Sequence, residues 1–142
     1  MNFSIIACVL VCALPAISAD REPVARELFN PSAPYSPGVL AGDTLYVSGL
    51  QGSDPRSGTL PKDFTEELRQ CFENVGLVLK AAKMDYRNVV SVQVYLTDMN
   101  QFAEMNSMYR KYFKDPLPAR TALGVVALSL GAHVEIAVIA KK

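Results

Sequence analysis

A chain of 142 residues is of a size for one domain, since domains commonly hold about 100–150 residues. Half of its residues are hydrophobic, which excludes a largely disordered chain. The 14 Lys and Arg residues balance the 14 Asp and Glu residues, so the sequence lacks the basic surface that nucleic-acid binding normally requires. Nucleic acid is therefore not the expected partner.

The first 19 residues have the layout of a secretory signal peptide. They contain no charged side chain, and the apolar run 3–14 is broken by Pro15 and followed by small residues. An uncleaved membrane anchor is the alternative, although the whole uncharged segment 3–19 has only about 17 residues, the bottom of the range of about 17–25 that spans a bilayer. We predict a signal peptide at 1–19, one domain at 20–142 and a periplasmic or secreted protein. No later segment is apolar enough to span a membrane, so the mature form is expected to make no membrane contact.

The residues before the first helix predict a short strand and a hairpin. A polar, flexible arm is expected at 20–24 and a first strand at 27–30. The hairpin has strands at 39–41 and 44–47, joined by the turn residues Gly42-Asp43. A surface loop rich in Gly, Pro and Ser follows.

Two amphipathic helices and a strand are predicted in the middle of the chain. The first helix begins near Asp63, and apolar residues recur behind it at helical spacing up to Ala82. Residues 89–96 alternate between apolar and polar, which indicates a strand whose valines lie on the buried face. Asp98 and Gln101 are predicted to cap the second helix, and Pro116 lies beyond its end.

The end of the chain predicts two strands, at 121–127 and 133–140. In the last strand Val134, Ile136 and Val138 would face the helices, so Glu135, Ala137 and Ile139 would lie on the other face. Two of those three are apolar, which favours a face covered by other subunits. The order of elements predicts an α+β fold with both helices on one face of the sheet.

Arg120 and Glu135 are the candidate catalytic residues, because charged side chains are rare in such apolar strands unless they have a partner. Arg120 begins a strand that we place beside the last one, and its planar guanidinium suits a carboxylate. Glu135 could serve as a base or could position water. A salt bridge between the two is the alternative. His133 and Cys71 have no partner at a spacing typical of a catalytic triad or a metal site, so we interpret Cys71 as a core residue.

Several motifs around these residues resemble the RidA/YjgF/UK114 family of imine deaminases. They are Pro118-Ala119-Arg120, the segment Asp98 to Phe102, and the helix pattern Asn106-x-x-Tyr109-x-x-Tyr112-Phe113. The resemblance runs from about Phe29 to Ala140. It implies a chorismate-mutase-like (YjgF/RidA-like) mixed β-sheet with two helices on one face, assembled as a homotrimer with sites between subunits.

The resemblance also implies roles for particular residues. Arg120 would hold the substrate carboxylate and Glu135 would orient water. The other implied substrate-binding residues are Tyr35, Ser48, Gly49, Asn106 and Ala122. Thr121-Ala122 stands where many relatives have Ser-Cys, so any contribution from Ala122 comes from its backbone. Ala137 replaces a second acidic residue of many relatives.

The implied activity is hydrolysis of 2-imino acids, such as 2-iminopropanoate and 2-iminobutanoate, to 2-oxo acids and ammonia. No cofactor or metal is expected, because an imine carbon is already electrophilic. The expected partners are therefore a small 2-imino or 2-oxo carboxylate and further copies of the chain. One alternative is a stress-protective protein that binds small carboxylates without turnover. Another is an endoribonuclease or translation inhibitor, which the charge balance and the predicted export disfavour.

Overall fold

A six-stranded mixed sheet with two helices forms the fold of residues 20–142, the part of the chain that this computed structural model describes. The strands are β1 (Arg21–Val24), β2 (Gly38–Ala41), β3 (Thr44–Gln51), β4 (Val89–Leu96), β5 (Ala119–Gly124) and β6 (Val134–Lys141). The helices are α1 (Phe64–Ala81) and α2 (Phe102–Tyr112). In the sheet the order is β1-β2-β3-β6-β4-β5, and only the pair β4–β5 is parallel. Helix α2 provides the crossover that a parallel pair requires.

Both helices pack as the sequence pattern predicts and α1 begins as predicted, whereas the predicted cap Gln101 makes no side-chain hydrogen bond at the start of α2. Asp63 accepts a hydrogen bond from the backbone N–H of Glu66 at 3.1 Å and so caps α1. Asp98 accepts one from the N–H of Asn100 at 2.9 Å and begins a short 3-10 turn that leads into α2. The ring of Phe72 in α1 stacks on that of Tyr112 in α2, with centroids 4.6 Å apart. The helices therefore share one core on one face of the sheet, as predicted.

The sheet has one face covered by the helices and one face bare. Val134, Ile136 and Val138 are buried, whereas the alternate residues of β6 are only partly covered. This division is the predicted one. The bare face also carries large apolar side chains, since Tyr46 and Leu123 are each 50% exposed. In a single chain, this face therefore leaves an apolar surface in contact with water.

The first strand differs from the prediction. Residues 20–24 are not a flexible arm, because β1 pairs with β2 from Arg21↔Ala41 to Val24↔Gly38. The segment 27–30 is not a strand, since Arg26–Leu28 forms a 3-10 turn. Pro23 is tolerated in β1 because this is an edge strand, where one side of the backbone has no neighbour.

Two further details of the sheet correct the sequence analysis. Val90, predicted on the buried face, is 51% exposed because β4 has one extra residue between the pairs Val89↔Ala140 and Ser91↔Ile139. The penultimate strand ends at Gly124 and so covers only part of the predicted strand 121–127. It also lies beside β4 and not beside β6.

The predicted signal peptide, 1–19, lies outside the described residues and stays a prediction. Within 20–142, no helix is long and apolar enough to cross a membrane. The same residues contain no group of three or more His, Cys, Asp or Glu side chains placed to hold a metal ion.

Candidate functional site

A cleft of about 830 Å³ opens where the loop before β2, the end of β3 and the loop before β6 meet. Four of the predicted site residues line it: Tyr35, Ser48, Gly49 and Glu135. They come from three separate parts of the chain, and the antiparallel pairing of β3 with β6 brings them together. This cleft is the candidate site.

A β-bulge in β3 shapes the centre of the cleft. Val47 pairs with Val138 and Leu50 with Ile136, so β3 has one more residue than β6 over this stretch. The extra residue falls at Ser48-Gly49. Bulges disrupt the regular alternation of side chains and are common beside functional sites. Here the bulge places both residues in the cleft wall.

Gly49 is required because the Glu135 side chain lies directly against its backbone. A Cβ built at position 49 would be 2.8 Å from Cδ and 3.2 Å from Cγ of Glu135, which is too close for non-bonded carbons. Any larger residue at position 49 would therefore displace the carboxylate.

Polar contacts fix the position of the Glu135 carboxylate and of the loop that faces it. Gln51 Nε2 donates to Glu135 Oε2 at 3.1 Å and to Ser129 Oγ at 2.7 Å. Ser48 Oγ donates to the Ser36 carbonyl at 2.8 Å, which ties β3 to the loop carrying Tyr35. The Tyr35 side chain is half exposed at the cleft and accessible to a ligand.

Arg120 lies elsewhere, against α2. Its guanidinium carbon is 4.5 Å from the centre of the Tyr109 ring and 5.8 Å from that of Phe102, distances typical of cation–π contacts. Its nearest polar contact is the Met105 sulfur at 3.8 Å. Within residues 20–142, Arg120 takes part in no ion pair. Aromatic rings thus hold in place a guanidinium that is open to an incoming carboxylate.

Arg120 and Glu135 do not meet within one chain. Strand β4 separates β5 from β6, and Arg120 pairs with the buried Val92, whereas Glu135 pairs with Tyr95 and Gln51. The two side chains therefore project from opposite faces of the sheet. The salt bridge considered from the sequence is not formed, and our placement of the two strands side by side was wrong.

Two other predicted site residues are also outside the cleft. Ala122 projects from the same face as Arg120 and packs against the core. Asn106, on α2, is partly buried and does not line the cleft. The structure thus divides the predicted residues into a Glu135 group in the cleft and an Arg120 group beside α2.

The sequence analysis missed two buried polar residues of α1 that support the cleft, Glu67 and Asn74, each only 1% exposed. Asn74 donates to the carbonyls of Gln51 and Ser53, both at 2.8 Å. Both residues fall on the apolar stripe of α1, at helical spacing with Cys71. A polar residue within an apolar stripe is the sequence signal that could have identified both as buried polar residues.

Glu67 fastens the start of β6. Its Oε1 accepts hydrogen bonds from the backbone N–H groups of His133, at 2.7 Å, and Val134, at 3.3 Å. Its Oε2 lies 2.8 Å from His133 Nδ1. His133 lies directly before β6. The three contacts anchor the chain two residues before Glu135.

Cys71 is a core residue, as predicted. Its side chain is fully buried, and its Sγ donates to the Leu50 carbonyl at 3.1 Å. Burial raises the pKa of the Cys71 thiol well above its ordinary value. The thiol therefore stays protonated, and a nucleophilic role is excluded because the thiolate is the reactive form.

Comparison with known proteins shows the family and the fold. The family profile described as Endoribonuclease L-PSP matches residues 25–142. A mouse protein named 2-iminobutanoate/2-iminopropanoate deaminase is 48% identical over 125 residues, which cover 87% of this chain and 88% of the relative. RidA from the Antarctic bacterium Psychrobacter sp. has a similar fold, with a TM-score of 0.81 at 34% identity over 86% of this chain and 100% of that one. E. coli TdcF with bound serine has a TM-score of 0.78 at 28% identity over 85% and 98% of the two chains. The chain therefore belongs to the RidA/YjgF family, as its motifs implied.

Proposed function

We propose that the protein is an imine deaminase, which hydrolyses 2-imino acids such as 2-iminopropanoate and 2-iminobutanoate to 2-oxo acids and ammonia. The observation that carries the proposal is the Glu135 carboxylate, held against Gly49 in an open cleft. The mouse relative, which is similar over most of both chains, is named for this activity.

The chemistry needs a positioned water molecule. Glu135 accepts a hydrogen bond from a water molecule and so directs the water oxygen to the imine carbon. As the new C–O bond forms, the C=N double bond becomes a single bond. A proton passes to the nitrogen, ammonia leaves, and the carbon becomes the carbonyl of the 2-oxo acid. Positioning of this kind can contribute up to about 7–11 kcal/mol of the barrier. Gln51 supports it by fixing the carboxylate.

The substrate carboxylate needs a cation, and we propose that Arg120 of a neighbouring subunit supplies it. Arg120 lies on the opposite face from the Glu135 of its own chain, and it has no ion pair within residues 20–142. The bare sheet face has apolar side chains suited to contact between copies. A homotrimer with sites shared between subunits, the family arrangement, would join the two groups. Ala122 and Asn106, near Arg120, would then belong to the same half of the site.

The direct test is turnover of freshly generated 2-iminopropanoate, followed as formation of 2-oxo acid with and without the protein. We expect acceleration by the wild type and none by Glu135→Gln, which keeps the shape of the side chain and loses its charge. Binding of a 2-oxo acid to Glu135→Gln should persist. Full activity in this variant would show that Glu135 does not direct water.

A second test addresses the shared site. Arg120→Ala and Glu135→Gln should each be inactive alone. After dissociation and reassembly together, roughly one site in four of a random mixture would receive an intact residue from each variant, because a heterologous ring contact draws on two chains. Activity should therefore reappear. A site built within a single chain would give no recovery.

A further inference from the structure

The cleft is larger than the proposed substrates require. Pockets of about 300–1,000 Å³ hold drug-sized ligands, and this cleft has a volume of about 830 Å³. In the single chain, a three- or four-carbon imino acid placed against Glu135 and Gly49 would leave most of it empty. The remaining space extends to the loop after β3, where Ser53, Asp54, Pro55, Arg56 and Ser57 form the wall.

Arg56 projects from a loop whose backbone is fixed. The Asp54 side chain accepts hydrogen bonds from the N–H groups of Arg56, at 3.0 Å, and Ser57, at 2.7 Å. The Asp54 N–H donates to the Thr59 carbonyl at 2.9 Å, which closes the loop. At its start, the buried Asn74 holds the Ser53 carbonyl at 2.8 Å. The loop thus presents Arg56 at a defined place on the cleft wall.

The charge of Arg56 is available to a ligand. Among the described residues that line the cleft, Arg56 is the only cationic one. Its guanidinium takes part in none of the ion pairs found in residues 20–142. Three carboxylates, those of Glu27, Asp54 and Glu135, line the same cleft. A ligand with two negative charges would be repelled there unless Arg56 bound one of them.

We propose that Arg56 binds a second, distal carboxylate of the substrate, so that the cleft accepts the 2-imino derivatives of amino dicarboxylic acids. This substrate class rests on the proposed deaminase function. The α-carboxylate is bound by Arg120 of the neighbouring subunit, and the distal carboxylate is bound by Arg56 in the wall that the loop after β3 forms. The reaction at the imine carbon is unchanged: water adds, ammonia leaves, and the product is a 2-oxo diacid.

The test is the ratio of affinities for 2-oxoglutarate and 2-oxobutanoate, measured by calorimetry at low salt on the assembled wild type and on Arg56→Gln. The wild type should prefer the diacid, and Arg56→Gln should lower that preference by about fivefold, the size expected of a solvent-accessible ion pair. Arg56→Lys should retain part of it, since a point charge replaces a bidentate fork. Arg21→Gln is the matched control. It removes the same charge from an exposed site on β1, outside the cleft lining and away from α2, and should leave the ratio unchanged.

Each other outcome overturns the inference. Equal weakening of both ligands by Arg56→Gln would mean that Arg56 binds the α-carboxylate, and no change in either would mean that it binds neither. An equal loss of diacid preference in Arg21→Gln would reveal a general charge effect. These results are separate from the proposed function, which turnover of 2-iminopropanoate tests alone.

Discussion

Gly49→Ala tests the contact on which the proposed chemistry depends. The added Cβ would be 2.8 Å from Cδ and 3.2 Å from Cγ of Glu135, whereas carbon atoms pack at about 3.5–4.0 Å. The carboxylate must therefore move by about 1 Å or turn out of the cleft, and it would lose its 3.1 Å hydrogen bond from Gln51. Overpacking typically costs about 1–3 kcal/mol. Because Glu135 is partly exposed and can turn aside, we expect the lower end of that range.

We expect Gly49→Ala to lower kcat far more than its loss of folding stability would explain. A displacement of about 1 Å in a catalytic group can lower turnover by about 100-fold, which a fall of about 1 kcal/mol in the free energy of unfolding does not explain. Urea denaturation and kcat for 2-iminopropanoate measure the two effects. Gly76→Ala, in α1, is the control, since its Cβ would meet only Tyr86 at an ordinary 3.5 Å. It should be stabilised by about 0.5–1 kcal/mol and keep its activity. Wild-type turnover in Gly49→Ala would refute the placement of Glu135 against Gly49 as the working geometry.

Three further changes test the other parts of the arrangement. Arg120→Ala should weaken 2-oxo acid binding by about 2–5 kcal/mol in calorimetry, and Arg120→Lys should restore little of it; unchanged affinity would remove Arg120 from the site. Ile139→Asp places a carboxylate on the bare sheet face and should dissociate or aggregate the assembly in light scattering, with loss of activity, because an unpaired buried charge costs several kcal/mol; a monodisperse, active wild-type monomer would contradict both the interface and the shared site. Glu67→Leu removes both acceptor oxygens from the N–H groups of His133 and Val134 and should lower the free energy of unfolding by about 1–3 kcal/mol in urea denaturation; an unchanged midpoint would mean that Glu67 does not anchor β6.

The sequence predicted the elements whose burial is periodic. The apolar stripe of α1 and the alternation of Val134, Ile136 and Val138 in β6 record directly which side chains leave water. From these patterns followed the two-layer arrangement with one bare face. Glu135 was predicted as a charged residue in an apolar strand, whereas Tyr35, Ser48 and Gly49 came from the family resemblance, and the structure brings the four into one cleft.

The rest depended on contacts between distant parts of the chain. Strand β1 is short and mostly exposed, so its pairing with β2 leaves no alternation in the sequence. The relation of Arg120 to Glu135 depends on the strand order, which puts β4 between them. A pattern of apolar residues gives the face of each strand and does not give its neighbours. Glu67 was missed because its partners, two backbone N–H groups and the His133 ring, lie 66 or 67 residues further along the chain.

The bulge in β3 lets the same strand pack against the helices and line the cleft with different residues. Along β3 the buried positions change from Leu45 and Val47 to Leu50, because one additional residue lies between the two halves of the strand. With one residue fewer at Ser48-Gly49, the same apolar side chains would still face the helices and meet the same partners on β6. The insertion therefore contributes nothing that the core requires, and it supplies Ser48 and Gly49 to the cleft wall. In evolution, a one-residue insertion or deletion at this point could create or remove the site in an otherwise conserved scaffold.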